Sequence, residues 1–278
     1  MFGNKKKTKI ILKSSGGLGN QLFQYLYAKA IAEDKNIFIT TAYHNYLPRN
    51  KLKAALLGVK RAHNRNFVID KIFEIDKRTI TNKPYSNLLN IILKFSLARF
   101  NLISRLLKLL GNIIIVEGYF TKQVYFNKTL EYVETLTNLN KPNKKINKCA
   151  VHIRAGDLLY HYYNQNLSTK YLQNAMSIIH SNGVNHFVII SEDKTYAKQV
   201  IDKLFLGEDY SISFARDGDE VEHFKLICKH NYIICWNSTF SYMACVLGKP
   251  KLFITPKYFY KLNDKPRCLI NEIELINE

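Results

Sequence analysis

The stretch IICWNSTFSYMACVLGKP, residues 233–250, changes character twice within a few residues. An apolar β-type run ends at Cys235. Asn237, Ser238 and Thr239 then supply polar caps, and an apolar helical run follows that Gly248 and Pro250 close. Strand, polar turn and helix in that order are the unit of an open α/β sheet, in which the turn lies at the carboxyl end of a strand, where ligands bind. Hydroxyls and N–H groups at such a place suit a phosphate. Plain N-capping accounts for one hydroxyl, and less well for three adjacent polar residues.

Outward from this stretch the same alternation recurs. Strands are expected at Cys149–Ala155, His186–Ser191, Ser211–Ala215, Tyr232–Cys235 and Lys251–Thr255, with helical periodicity between them. Ser168 caps one such helix, whose apolar side carries Leu172, Ala175, Met176 and Ile179 before Gly183 ends it. The N-terminal half opens in the same way, with a strand at Lys9–Leu12, the turn SSGGLGNQ, and a helix with Leu22, Phe23, Leu26, Tyr27, Ala30 and Ile31 on one side. A second strand follows at Ile37–Thr40. The pattern predicts two Rossmann-like α/β units with parallel sheets, divided near residue 146 after the Asn- and Lys-rich segment NLNKPNKKINK around Pro142. Residues 1–145 form the N-terminal domain and 146–278 the C-terminal one.

Charge separates the halves. The chain of 278 residues carries a net charge of +19. Residues 1–145 hold 26 basic and 8 acidic residues, whereas 146–278 hold 15 and 14. Such a basic half attracts nucleic acid, an anionic membrane or an acidic substrate, or is a solvated face. No zinc cysteine pairs and no RNP-type aromatic strand accompany it, which argues against nucleic acid. From Asn87 to Asn112 a mostly apolar stretch bears a narrow polar stripe. It reads as core helix or membrane-surface helix, with Lys94, Arg99, Arg105 and Lys108 interrupting any bilayer span. Five cysteines without CxxC spacing read as reduced thiols in a cytoplasmic protein, and the opening MFGNKKKTKIILKSS has too short an apolar run for a signal peptide.

VHIRAGD, residues 151–157, sets His152, Arg154 and Asp157 in an apolar run. Strand alternation points His152 and Arg154 to one face and Ile153 to the other. An arginine offers a fork of donors that matches phosphate oxygens, although a structural Arg–Asp pair is the alternative. The glycine-rich turn lacks the Lys-Ser/Thr of a P-loop, and Leu22 stands where a dinucleotide fingerprint needs a third small residue. Asp217-Gly218-Asp219 has the spacing of a metal-binding carboxylate pair, but it precedes a predicted helix that acidic residues cap favourably. Glu192 and Asp193 lie at another strand end.

GGLGNQLFQYLYAKAIAE, EGYFTKQVYF, VHIRAGDLL and CKHNYIICWNSTFSYMACVLG come in the order and spacing of one family. The chain resembles the bacterial α-1,2-fucosyltransferases of glycosyltransferase family 11 from about Gly16 to Tyr258. The resemblance implies a GT-B fold, two Rossmann-like domains facing a central cleft, with an acceptor-side N-terminal domain and a GDP-fucose-binding C-terminal one. It implies inverting transfer of L-fucose to the 2-hydroxyl of a terminal galactose, in a lipopolysaccharide-type or oligosaccharide glycan, with no metal and no cofactor beyond the donor GDP-fucose. Arg154 would hold the diphosphate, with His152 and Asp157 beside it. Asn237, Ser238, Thr239 and Phe240 would form a second wall, and Gly17, Gly19, Asn20 and Gln21 would border the cleft. Asp157 is the first candidate for the base and Glu222 a weaker one. Two positions depart from the family's usual HIRRGD and STFSWW: Ala155 replaces the second arginine, and Tyr242 and Met243 replace the tryptophans. The expected location is cytoplasmic, with peripheral contact to anionic inner-membrane lipid. Another sugar nucleotide or linkage on the same fold, or a non-catalytic sugar-binding protein, are the rival readings.

Overall fold

A computed structural model describes residues 9–32, 37–41, 66–81, 113–136, 146–155, 168–260, 263–264 and 271–276. The stripe of 87–112, the Pro142 segment, Asp157 and Cys268 lie outside them. Contacts divide the chain into two compact units, Met1–Phe120 and Thr121–Glu278.

In the first unit, strands β1 (Lys9–Lys13), β2 (Ile37–Thr40), β3 (Ile80–Thr81) and β4 (Ile113–Val116) form one sheet in the order β3-β2-β1-β4. Every pairing in it is parallel. Helix α1 (Leu18–Ala32) follows β1. Its expected one-sided burial is wider in fact: Gln21, Gln24 and Tyr25 are buried along with Leu22, Phe23 and Leu26, while Tyr27, Ala30 and Ile31 are only half-buried.

The second unit contains helix α2 (Gln123–Thr135) and strand β5 (Ile146–His152), followed by α3 (Thr169–Ser181), β6 (His186–Ile190), α4 (Lys194–Ile201) and β7 (Ser211–Phe214). Helix α5 (Glu220–Cys228), β8 (His230–Ile234), α6 (Thr239–Gly248), β9 (Leu252–Pro256), the antiparallel pair β10 (Tyr258–Tyr260) and β11 (Asn263–Asp264), and β12 (Glu272–Leu275) complete it. Six strands pair in parallel in the order β12-β9-β8-β5-β6-β7. Counted from this unit's own first strand that order is 6-5-4-1-2-3, the doubly wound arrangement, which reverses between β5 and β8.

The boundary expected after residue 145 falls earlier because α2 belongs to the second unit. Its buried side, Phe126, Thr129 and Val133, faces that unit, with the Phe126 ring 5.7 Å from that of Tyr242 on α6. Tyr242 and Met243 are fully buried, so the positions where the family carries tryptophan are core here.

Alternation sorts the strands of the second sheet as the sequence predicts. Cys149, Val151 and Ile153 join Phe187, Ile189 and Ile234 on one face, covered by Tyr171, Leu172, Ala175, Met176 and Ile179 of α3. Each large apolar side chain removed from water in this way contributes about 1.5–3 kcal/mol. Ser168 caps α3, its hydroxyl accepting from the Tyr171 N–H at 3.0 Å. His152 lies on the opposite face, its ring 5.2 Å from Phe240 of α6.

Helix α6 begins where expected and ends differently. Lys249, at φ 49°, is the left-handed cap, whereas Gly248 is small for another reason. A Cβ on Gly248 would lie 2.9 Å from the Cα and carbonyl oxygen of Cys228, the end of α5. A side chain there would push the two helices apart.

Candidate active site

The reversal between β5 and β8 brings two turns together at the carboxyl ends of adjacent strands. Beyond β5 the pairing runs one residue further, with Ile153 N–H donating to Ile190 O at 2.9 Å. The chain then leaves the sheet with Arg154 on the His152 face. Beyond β8, the Tyr171 hydroxyl donates to Cys235 O at 2.7 Å from a fully buried position, which fixes where the 235–239 turn starts. Arg154 Nη1 donates to Ser238 Oγ at 3.2 Å, joining residues 84 apart in sequence across the reversal.

Ser238 is also the cap of α6, its hydroxyl accepting from Phe240 N–H at 3.2 Å. Both lone pairs are thus engaged, and the hydroxyl proton is left to donate to a third group. The α6 N-terminus places a partial positive charge at the same spot. A guanidinium, a hydroxyl proton and a helix N-terminus are the kinds of donor that an anion takes, and Thr239 lies buried at the head of the same helix.

Two further side chains at this point are buried with a polar atom unmatched. His152 is 7% exposed and Asn237 5%, and neither His152 Nδ1 nor Asn237 Nδ2 has a hydrogen-bond partner among the described residues. A buried polar atom left unpaired costs about 1–3 kcal/mol, so two of them at the ends of adjacent strands are places where a polar ligand finds hydrogen bonds to make. Burial, with the charges of Arg154 and then His223 adding to it, pushes the His152 imidazole down to about 3. The ring is therefore neutral near pH 7 and offers one donor and one acceptor. Phe240, half-buried, meets His152 on one side and Phe224 on the other, the latter edge-on at 5.5 Å.

The carboxylates near this rim are committed locally. Asp219 Oδ1 accepts from Val221 and Glu222 N–H, each at 2.9 Å, and Glu222 Oε2 accepts from Asp219 N–H at 2.8 Å, a reciprocal cap on α5. Glu222, the weaker base candidate, is thereby turned to its own helix end. Asp217 pairs with Lys194 at 2.7 Å, and Asp193 caps α4, accepting from Tyr196 N–H at 2.9 Å. Asp157 lies outside the described residues. Ala155 is fully buried, so that position is packed and not open for a longer side chain.

The glycine-rich turn of the first unit is put to a different use. Gly16 takes φ 79°, and a Cβ there would come within 2.9 Å of Asn20 Nδ2. Gly19 already lies within α1, and Gly17 O accepts from Gln21 N–H at 3.0 Å. The fully buried Gln21 amide donates to Gly16 O at 2.9 Å and Asn66 O at 2.7 Å and accepts from Val68 N–H at 3.1 Å. Gln24 accepts from Ser15 N–H at 3.0 Å and donates to its hydroxyl at 3.2 Å. Gln21 therefore ties the turn to the 66–68 segment instead of facing a ligand. Sequence reasoning missed Tyr171 and Phe224 as supports of the site, because both fall on apolar helix positions and read as core.

The model of the family described as glycosyl transferase family 11 matches residues 119–261, just over half of the chain and all of β5 to β10. The chain belongs to glycosyl transferase family 11. It is thus a glycosyltransferase, and the matched segment contains Arg154, Ser238, His152 and Asn237. An α-1,2-colitosyltransferase of Escherichia coli is 24% identical over 286 residues, 88% of this chain and 90% of that protein. Among solved structures, POFUT1 in complex with GDP overlaps with a TM-score of 0.44 at 12% identity, covering 86% of this chain and 95% of that one. The NodZ α-1,6-fucosyltransferase co-crystallized with GDP gives 0.41 at 12%, covering 87% and 93%. The E. coli heptosyltransferase WaaC with ADP gives 0.45 at 9%, covering 96% and 92%. These overlaps are loose, and membership in family 11 stands on the sequence match. No helix among the described residues is long and apolar enough to cross a membrane.

Proposed function

We propose that this family 11 enzyme transfers L-fucose from GDP-fucose to the 2-hydroxyl of a terminal galactose, with inversion and without a metal ion. The observation that carries this reading is the Arg154–Ser238 hydrogen bond across the strand reversal, flanked by the buried, unmatched polar atoms of His152 and Asn237. A nucleoside diphosphate seated there receives the guanidinium, the Ser238 proton and the α6 N-terminus on its phosphates.

The reaction is a single in-line displacement. The acceptor oxygen forms its bond to C1 of fucose as the bond from C1 to the β-phosphate oxygen breaks on the opposite side, and GDP departs with the electron pair. Negative charge grows on the β-phosphate in the transition state, and Arg154 and Ser238 stabilise it there. The hydroxyl proton passes to a carboxylate, for which Asp157 is the first candidate; full turnover by Asp157→Asn would remove it from that role. With Ala155 buried, one guanidinium serves where the family usually has two. If the second made a charged hydrogen bond, its loss weakens donor binding by about 1.5–3 kcal/mol.

GDP release from GDP-fucose is measured in EDTA with lactose and N-acetyllactosamine as acceptors, the product linkage being read by NMR. Acceptor-dependent release and an α-1,2 product are expected. Binding of GDP without consumption of donor would favour a non-catalytic sugar- or nucleotide-binding protein. A second donor belongs in the same assay because the curated relative is named for colitosyl transfer; turnover with the colitosyl donor alone would change the sugar and keep the linkage. The basic N-terminal half suits an acceptor built on the anionic cytoplasmic membrane face. Co-sedimentation with liposomes that ignored both anionic lipid and salt would refute that placement.

A further inference from the structure

The EGYF motif, Glu117–Phe120, ends the first unit. It leaves the carboxyl end of β4, next to the end of β1, where the order of the first sheet reverses. Lys13 Nζ donates to Glu117 Oε2 at 2.8 Å across that point, from a side chain only 12% exposed to one 65% exposed. The backbone beyond is unusual: Gly118 takes φ 134° and Phe120 takes φ 53°, a left-handed conformation that a bulky residue rarely adopts. A stack of Phe120 on Tyr27 of α1, with centroids 4.3 Å apart and planes 16° apart, accompanies it. The result is a division of labour between neighbours, because Phe120 packs on the helix while Tyr119 remains 52% exposed.

An exposed ring two residues from a carboxylate held at one oxygen by lysine is a chemistry that fits a neutral pyranoside. The C–H face of a β-galactoside, formed by the hydrogens on C3, C4 and C5, lies against an aromatic ring. Its hydroxyls donate to a carboxylate in charge-assisted hydrogen bonds. Apolar contact supplies area and a few placed polar groups fix orientation. The buried glutamines of the adjoining turn, Gln21 and Gln24, are engaged within the protein, whereas Glu117 and Tyr119 are exposed.

We propose that Tyr119 and Glu117 form the subsite that holds the acceptor galactoside, an inference that rests on the glycosyl-transfer reading above. Tyr119 supplies the stacking face, Glu117 accepts from the sugar hydroxyls, and Lys13 and the Phe120–Tyr27 stack position them.

Two readouts on the full-length enzyme test this. The first is the split between acceptor and donor KM. Tyr119→Ala should raise the lactose KM at least tenfold while the GDP-fucose KM stays within twofold, and Tyr119→Phe should restore the lactose KM. The second is saturation-transfer NMR of methyl β-D-galactoside on enzyme holding GDP, where the sugar signal should be present in wild type and lost in Tyr119→Ala. If Tyr119→Ala unfolds, Glu117→Gln carries both readouts. Product formed with an unaltered lactose KM in these variants overturns the subsite and leaves the fucosyl reading intact. Galactoside bound by wild type and lost in Tyr119→Ala, with no product from GDP-fucose, supports the subsite and overturns the fucosyl reading instead.

Discussion

Both sheets of this protein reverse their order between the unit's first and fourth strands, yet the two reversals are finished differently. In the second unit the turns that meet there keep hydrogen-bonding capacity in reserve: Ser238 has a proton to give, and His152 Nδ1 and Asn237 Nδ2 are buried and unmatched among the described residues. In the first unit the glycine-rich turn uses its buried amides to close on itself, through Gln21 and Gln24. The same topology thus gathers hydrogen-bonding groups left open in one case and ties down a turn in the other. What separates them is whether buried polar groups are satisfied among the described residues.

The largest effect expected from this contrast is at Arg154. Arg154→Ala removes a guanidinium aimed where charge develops, and kcat/KM for the donor should fall about 10²–10³-fold, with circular dichroism unchanged. Retention of donor turnover within tenfold would erase the functional half of the contrast. Gln21→Ala should do the reverse. Three buried hydrogen bonds are lost and their partners left unpaired, so urea unfolding should show a loss of about 1–3 kcal/mol, while the GDP-fucose KM holds within threefold. A donor-binding defect without a stability loss would place the glycine-rich turn in the donor site after all.

The sequence makes one of these reversals more legible than the other. Strand–helix alternation through residues 149–255 is a local signal, and so is the facing of His152 and Arg154 away from Ile153. The Ser168, Asp219 and Ser238 caps are read from their own neighbours. The Arg154–Ser238 bond is not local. It depends on β8 settling beside β5, which no period in the sequence states, and the same holds for Tyr171 reaching the Cys235 carbonyl. In the first unit the signal is composition alone. SSGGLGNQ has the composition of a ligand-binding loop, but the partners of its Gln21, Asn66 and Val68, lie far along the chain. The domain boundary slips for a like reason: the linker composition near Pro142 is local, whereas the docking of Phe126 on Tyr242 is tertiary.

A neutral, buried His152 sharpens the contrast through pH. Its folded pKa of about 3 lies below the ordinary value of 6.5, so the unfolded chain binds the extra proton first as pH falls. The contribution is complete above about pH 6.5 and declines progressively down to about pH 3. At pH 5, some 1.5 units below the unfolded value, the loss amounts to about 2 kcal/mol. Urea unfolding from pH 7 to pH 4 should show this slope in wild type and a shallower one in His152→Gln. The NMR shifts of the His152 ring should also remain those of neutral imidazole at pH 5. A ring that titrates near pH 6.5 would mean that the site is wetter than its burial indicates.

The smallest effect lies at the end of α6, the helix that presents Ser238. Lys249 holds φ 49° with a Cβ, a conformation that disfavours any residue but glycine. Lys249→Gly relieves that strain but gives the unfolded chain more freedom, so a net gain of about 0.5–1 kcal/mol is expected. Because the change lies at the far end of the helix from Ser238, the GDP-fucose KM should not move. A loss of stability would show that the Lys249 side chain stabilises the fold by more than its backbone strain costs. A changed donor KM would show that the cap sets the position of the helix, and that the donor reversal depends on both ends of α6 where the glycine-rich turn depends only on its own glutamines.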